Sequence, residues 1–110
     1  MSFPWRREST LYYNYMNNYY VYIISNSNNT VLYTWVTNDL IKRIYEHKNK
    51  IAEWFSKEYN LNKLLYFEAY NEVTEAIKRE KQLKKWRREW KENLINKTNI
   101  NKNDLYESLL

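Results

Sequence analysis

Apolar and polar positions divide the chain into short segments of different period. Residues 19–25, YYVYIIS, are a run of β-branched and aromatic side chains, the composition of a strand. Residues 30–37, TVLYTWVT, form a second run of the same kind. SNSNN at 25–29 lies between them, so the pair reads as a hairpin. Asn38-Asp39 offers a cap for the helix LIKRIYEHKNK, residues 40–50. Leu40, Ile44, His47 and the following Ile51 fall on one face at helical spacing. The stretch 52–62 reads as a helix tail and then a loop. KLLYFEAY at 63–70 is a third strand, and residues 72–91 read as one long helix. The polar segment 92–110 closes on a short helix, DLYESLL. Residues 1–18 lack a clear period and read as an N-terminal extension, with Met16 available as the native start; the domain is 19–110.

The order β-β-α-β-α with a short C-terminal helix implies an α+β domain: a three-stranded antiparallel sheet flanked by helices. At 110 residues the core is small, and aromatic side chains supply much of it.

Composition removes several function classes. The chain has no glycine, one proline and no cysteine, but five tryptophans, twelve tyrosines and sixteen asparagines. No disulfide partner and no thiolate metal site are available. A glycine-rich phosphate loop is excluded. No apolar run long enough to span a membrane occurs, and the start lacks the apolar core of a secretory signal. A cytoplasmic protein is the default expectation. Without glycine, asparagine must take the turn positions with positive φ, and SNSNN is the expected place.

The net charge of +5 is not spread evenly. Residues 77–91, IKREKQLKKWRREWK, hold eight basic side chains against Glu80 and Glu89, and the rest of the chain is slightly acidic. Such a stripe is either a solvated helix face or the footprint of a phosphate-backbone binder.

Glu80 is the most informative single residue. Val73, Ala76, Ile77 and Leu83 define an apolar stripe on the helix beginning at 72, and Glu80 falls inside it. A carboxylate there needs an ion pair at the stripe's edge or a bound cation. His47, the sole histidine, lies on a partly apolar face and reads as a satisfied core histidine or a site residue. Arg43 lies one turn earlier and could pair with Glu46 or face the same site. Tyr22 and Tyr33 sit on the two hairpin strands, where packing is the ordinary role of tyrosine. No catalytic triad and no metal-ligand cluster is evident from spacing.

Taken in order, these residues resemble the GIY-YIG nuclease superfamily, most closely its small stand-alone bacterial members. YVY at 20–22 and YTW at 33–35 match the two strand motifs. LYTWVTNDLIKRIYEHK at 32–48, FSKEYNLNKLLYFEAY at 55–70 and EAIKREKQLKKW at 75–86 match the segments that follow. The resemblance implies a divalent-metal-dependent DNA endonuclease. Glu80 would hold one Mg²⁺ or Mn²⁺. Tyr22 would be the general base or position the attacking water, and Tyr33 would support it. Arg43 would stabilise charge on the phosphoryl group, and His47 would assist proton transfer. Asn99 would correspond to an asparagine near the site. Lys78, Arg79, Lys81, Lys84, Lys85, Arg87 and Arg88 would track the DNA backbone. The alternative is a nucleic-acid-binding module that keeps the basic helix and does not cut.

The chain departs from the motif at its glycines. Tyr20 occupies the first position, Trp35 the second, and Trp54 another glycine position before FS. An indole at 35 lies on the same strand face as Tyr33 and is expected to crowd the site. A gene in which UGA encodes glycine, translated with UGA as tryptophan, would produce both replacements. The mass of residues 35 and 54 in the native protein distinguishes that origin from true tryptophan, the alternative being drift to a nuclease inactivated by Trp35.

Overall fold

A computed structural model of the chain describes residues 18–51 and 54–110. All but the last residue of the expected extension 1–18 lies outside that range. The elements are β1 Tyr19–Ser25, β2 Leu32–Thr37, α1 Leu40–Lys48, α2 Trp54–Glu58, β3 Lys63–Tyr70, α3 Val73–Lys85, α4 Arg88–Thr98 and α5 Tyr106–Leu109. They form the expected α+β fold, an antiparallel sheet in the order β2-β1-β3 with helices around it.

The central position of β1 explains its sequence. Both of its faces are covered, so it carries a continuous apolar run rather than an alternation. Tyr20, Tyr22 and Ile24 pack on one face with Leu40 and Ile44 of α1 and with Leu61 and Leu64. Val21 and Ile23 pack on the other, against Ala76 and Leu83 of α3 and Ile95 of α4. A register shift between Ile23 and Ile24 leaves Leu65 as the extra residue on β3.

Asparagine does take the place of glycine in the hairpin turn. Asn29 has φ of 58°. Its amide donates to the Asn26 carbonyl at 3.0 Å. The Asn26 side chain accepts from the Thr30 amide at 2.9 Å and from Val31 at 3.2 Å. Asn60, Lys50 and Lys102 also have positive φ. Trp35 does not, so its place on β2 makes no backbone demand for glycine.

Several boundaries differ from the sequence reading: β2 begins at Leu32 instead of 30, and α4 runs to Thr98, into the segment read as polar. α1 stops at Lys48, and Ile51 is exposed instead of sharing the buried face. The ambiguous stretch 52–62 contains the short helix α2. The expected long helix 72–91 is two helices, broken at Trp86 and Arg87, both in extended conformation. No proline or glycine causes that break. Trp86 packs on the Val21–Ala76–Leu83 cluster. The Arg79 guanidinium lies 5.1 Å from its ring, and Trp90 meets it edge-on at 6.1 Å. Turning the backbone at 86 lets the indole reach this place, and the Arg87 carbonyl starts the next helix by accepting from Trp90.

Thr34 Oγ1 is the single buried side-chain polar atom without a partner among the described residues. Replacing it should therefore cost little. Thr34→Val is expected to be neutral or stabilising by up to about 1 kcal/mol in urea denaturation. A loss greater than that would mean the hydroxyl has a partner, such as a bound water.

Candidate active site

The hairpin places three aromatic residues on one face of the sheet. Tyr22 of β1 and Trp35 of β2 are direct cross-strand partners. Tyr33, two residues before Trp35, therefore shares its face. The Tyr33 and Trp35 rings are stacked, 5.7 Å apart and 12° from parallel.

His47 reaches Tyr22 from α1. Asp39 caps that helix by accepting from the Lys42 amide at 3.2 Å. Leu40 and Ile44 press the helix on the sheet, and His47 follows on the same buried stripe with 1% of its surface exposed. Its Nε2 lies 2.9 Å from the Tyr22 hydroxyl, and its Nδ1 lies 2.6 Å from Ser56 Oγ on α2. A chain of hydrogen bonds, Tyr22–His47–Ser56, thus crosses the core. Both tautomers fit this chain, with the donors reversed. Ser56 is a functional candidate that the sequence reading missed; only its nearness in space to His47 reveals it. Arg43, one turn before His47, is partly exposed and pairs with Glu46 at 3.5 Å.

Glu80 stands on α3 with 7% of its surface exposed, buried with Ala76 and Leu83, while Val73 and Ile77 of the expected stripe are exposed. Its carboxylate meets the Lys84 ammonium at 2.9 Å. Lys84 Nζ in turn lies 4.0 Å from the centre of the Trp35 ring. Contacts therefore run from Glu80 through Lys84 and Trp35 to Tyr33, while Tyr22, beside Trp35, leads to His47. Trp35 joins the two halves. Among the described residues, no group of three His, Asp or Glu side chains forms a metal cluster.

The basic residues divide by role. Lys78, Lys81 and Lys85 are exposed on α3. Arg87 is exposed at the start of α4, near Glu89 at 3.6 Å and over the Trp90 ring at 5.5 Å. Arg88 donates to the Thr30 carbonyl at 2.7 Å and to the Asn29 carbonyl, tying α4 to the hairpin turn. Lys91 is half-buried among cations. Burial, then Lys84 and Arg88, hold its ammonium below the usual lysine range.

Arg79 is committed to the interior. It donates from Nε at 2.9 Å and from an Nη at 3.0 Å to the two Glu68 oxygens. Tyr66 and Tyr70 donate to the same carboxylate at 2.5 and 2.6 Å. Burial works against the Glu68 charge, but these donors outweigh it and keep the carboxyl below its ordinary value. Burial and the Glu68 carboxylate push the Tyr70 hydroxyl up to about 12, and raise Tyr66 further. These four side chains join β3 to α3. Asn99 is likewise buried: its side-chain amide donates to the Leu65 and Asn103 carbonyls at 3.1 and 2.8 Å and accepts from the Asn103 amide at 3.0 Å. It ties the C-terminal segment to β3. Trp54 opens α2, and its side chain lies outside the described residues.

The tyrosine-bearing hairpin, the helix with Arg43 and His47, and the helix with Glu80 after β3 make up one small α+β domain, and its match to a known family gives its class as nuclease-type. The chain belongs to the GIY-YIG family: the model of the GIY-YIG catalytic domain matches residues 18–93. A UPF0213 protein of Clostridium perfringens is 39% identical over 88 residues, 80% of this chain and 92% of that protein. A UPF0213 protein of Staphylococcus saprophyticus is 34% identical over 80 residues, 73% of this chain and 96% of that one. One from Haloquadratum walsbyi is 34% identical over 88 residues, covering 78% and 98%. No solved structure matches the chain. Family membership implies a nucleic-acid substrate. No helix among the described residues is long and apolar enough to cross a membrane.

Proposed function

We propose that the chain is a divalent-metal-dependent DNA endonuclease that hydrolyses phosphodiester bonds. The observation that carries this reading is the buried Tyr22–His47–Ser56 chain. A hydroxyl bonded to an imidazole has a place to send its proton. With Tyr22 donating to Nε2 and Nδ1–H donating to Ser56, Tyr22 can take a proton from the attacking water while its own passes to His47. Tyr33 braces Trp35 and the strand beneath the phosphate. Arg43 can leave Glu46 to meet charge developing on the phosphoryl oxygens. Lys78, Lys81, Lys85 and Arg87 hold the backbone on either side; Arg79 and Arg88 contribute by fixing α3 and α4.

Glu80 fits a Mg²⁺ or Mn²⁺ ligand. These hard cations bind through one or two carboxylates, and keep water and substrate phosphate as the remaining ligands, so a cluster of protein ligands is not required. Such an ion, when bound, polarises the phosphate and acidifies a water.

One observation favours the second reading, a nucleic-acid-binding module that does not cut. Tyr22 is fully buried, and Lys84 already neutralises Glu80. Two measurements separate the readings: DNA binding across a salt series, and nicking of supercoiled DNA with Mg²⁺ or Mn²⁺, by the chain, by Trp35→Gly and by Glu80→Ala. Metal-dependent nicking that Glu80→Ala reduces by at least about a hundredfold supports the nuclease. Nicking by Trp35→Gly alone marks the chain as an inactivated nuclease. Salt-dependent DNA binding with no nicking by any of them selects the binding module.

A further inference from the structure

We propose that Lys84, fixed by the Trp35 indole, is the internal counter-cation of Glu80, and that a divalent ion must displace it to bind. The proposal rests on the assignment of Glu80 as the metal-binding carboxylate. It goes further by naming what holds that position in the free protein.

A nearly buried carboxylate requires a compensating charge. Lys84 supplies it at 2.9 Å, one helical turn along α3. An ordinary lysine at such a position samples many rotamers, and the pair is weak. Here the ammonium also lies 4.0 Å from the Trp35 ring centre, where a cation–π contact holds it. The indole is itself held, stacked on Tyr33. Glutamate, lysine, tryptophan and tyrosine thus form one continuous set across α3 and β2. Remove the indole and the lysine keeps only its contact with the carboxylate. Lys91 stands near Lys84 and adds to the positive charge on that side of the ammonium. A second cation therefore enters only if the ammonium withdraws.

The test is Mn²⁺ binding to the whole chain without nucleic acid, read from the electron paramagnetic resonance of free Mn²⁺. Lys84→Met keeps most of the stem and removes the charge. It is expected to bind Mn²⁺ about tenfold more tightly than the parent. Trp35→Ala is expected to shift affinity in the same direction by a smaller factor. Lys97→Met removes an equal charge from an exposed position on α4 and is expected to stay within about twofold of the parent. Glu80→Gln in the Lys84→Met background is expected to remove the gain. Thermal denaturation of each variant confirms folding. If Lys84→Met binds no better than Lys97→Met while Glu80→Gln still weakens binding, the counter-cation is refuted and the metal site stands. If Mn²⁺ binding is indifferent to Glu80→Gln throughout, the metal-site assignment and the counter-cation both fail.

Discussion

His47→Ala is expected to lower folding stability by about 3–5 kcal/mol and, in any background that cleaves, to lower the rate by about 10²- to 10⁴-fold. The stability loss has two sources. Removing the ring takes a hydrogen bond from each of two buried residues, the Tyr22 hydroxyl and the Ser56 hydroxyl. Loss of a partner by a buried polar group costs about 1–3 kcal/mol. The vacated space beside Leu40 and Ile44 adds a cavity term. Ser56→Ala removes one end of the chain only and is expected to cost less than His47→Ala. Urea denaturation measures the first effect and single-turnover nicking the second. A stability change under about 1 kcal/mol would show that the two hydroxyls find other partners. Unchanged cleavage would remove His47 from the proton path.

Glu68→Gln is the second large effect, and it concerns the scaffold instead of the chemistry. Glu68 is the common acceptor of Arg79, Tyr66 and Tyr70. The amide keeps the shape but loses the charge and one acceptor. Arg79 is then left partly desolvated without its anion. A loss of about 2–3 kcal/mol at pH 7 is expected. The sign of the pH dependence follows from the folded carboxyl lying below its ordinary value of 4.5. The charged cluster contributes in full above that value, and the contribution is lost as pH falls through the folded value. The gap in urea midpoint between the parent and Glu68→Gln should therefore shrink as pH falls from 7 to about 3. A gap that stays constant would show that the carboxylate charge is not what joins β3 to α3.

The Arg79 result bears on how a basic stripe should be read. By composition, residues 77–91 are one cationic segment. In the fold, Arg79 is a partly buried tie to β3, Lys84 neutralises Glu80, and Arg88 holds the hairpin turn. Lys78, Lys81 and Lys85 keep the exposed character that sequence implies. Salt dependence of nucleic-acid binding would follow the exposed set.

Local chemistry was legible along the chain. β1 and β3 have the bounds expected from their β-branched and aromatic runs, because strand preference is a property of neighbouring side chains. The hairpin turn was marked by asparagine, whose side chain both accepts from nearby amides and tolerates positive φ. Asp39 announced α1 by capping it. Helical spacing alone put Glu80 among apolar residues and His47 on a buried face.

Only the tertiary structure decided the rest, since it depends on distances between residues far apart in sequence. Nothing between 80 and 91 signals a helix break; Trp86 turns the chain to pack on β1 and α3. His47 was recognisable, but its bond to Ser56 depends on α2 folding back beneath α1. Position 35 was recognisable as a departure from the motif. That its indole holds the Glu80 counter-ion follows from β2 and α3 meeting across the fold, where a charge, a ring and a second charge come within contact range.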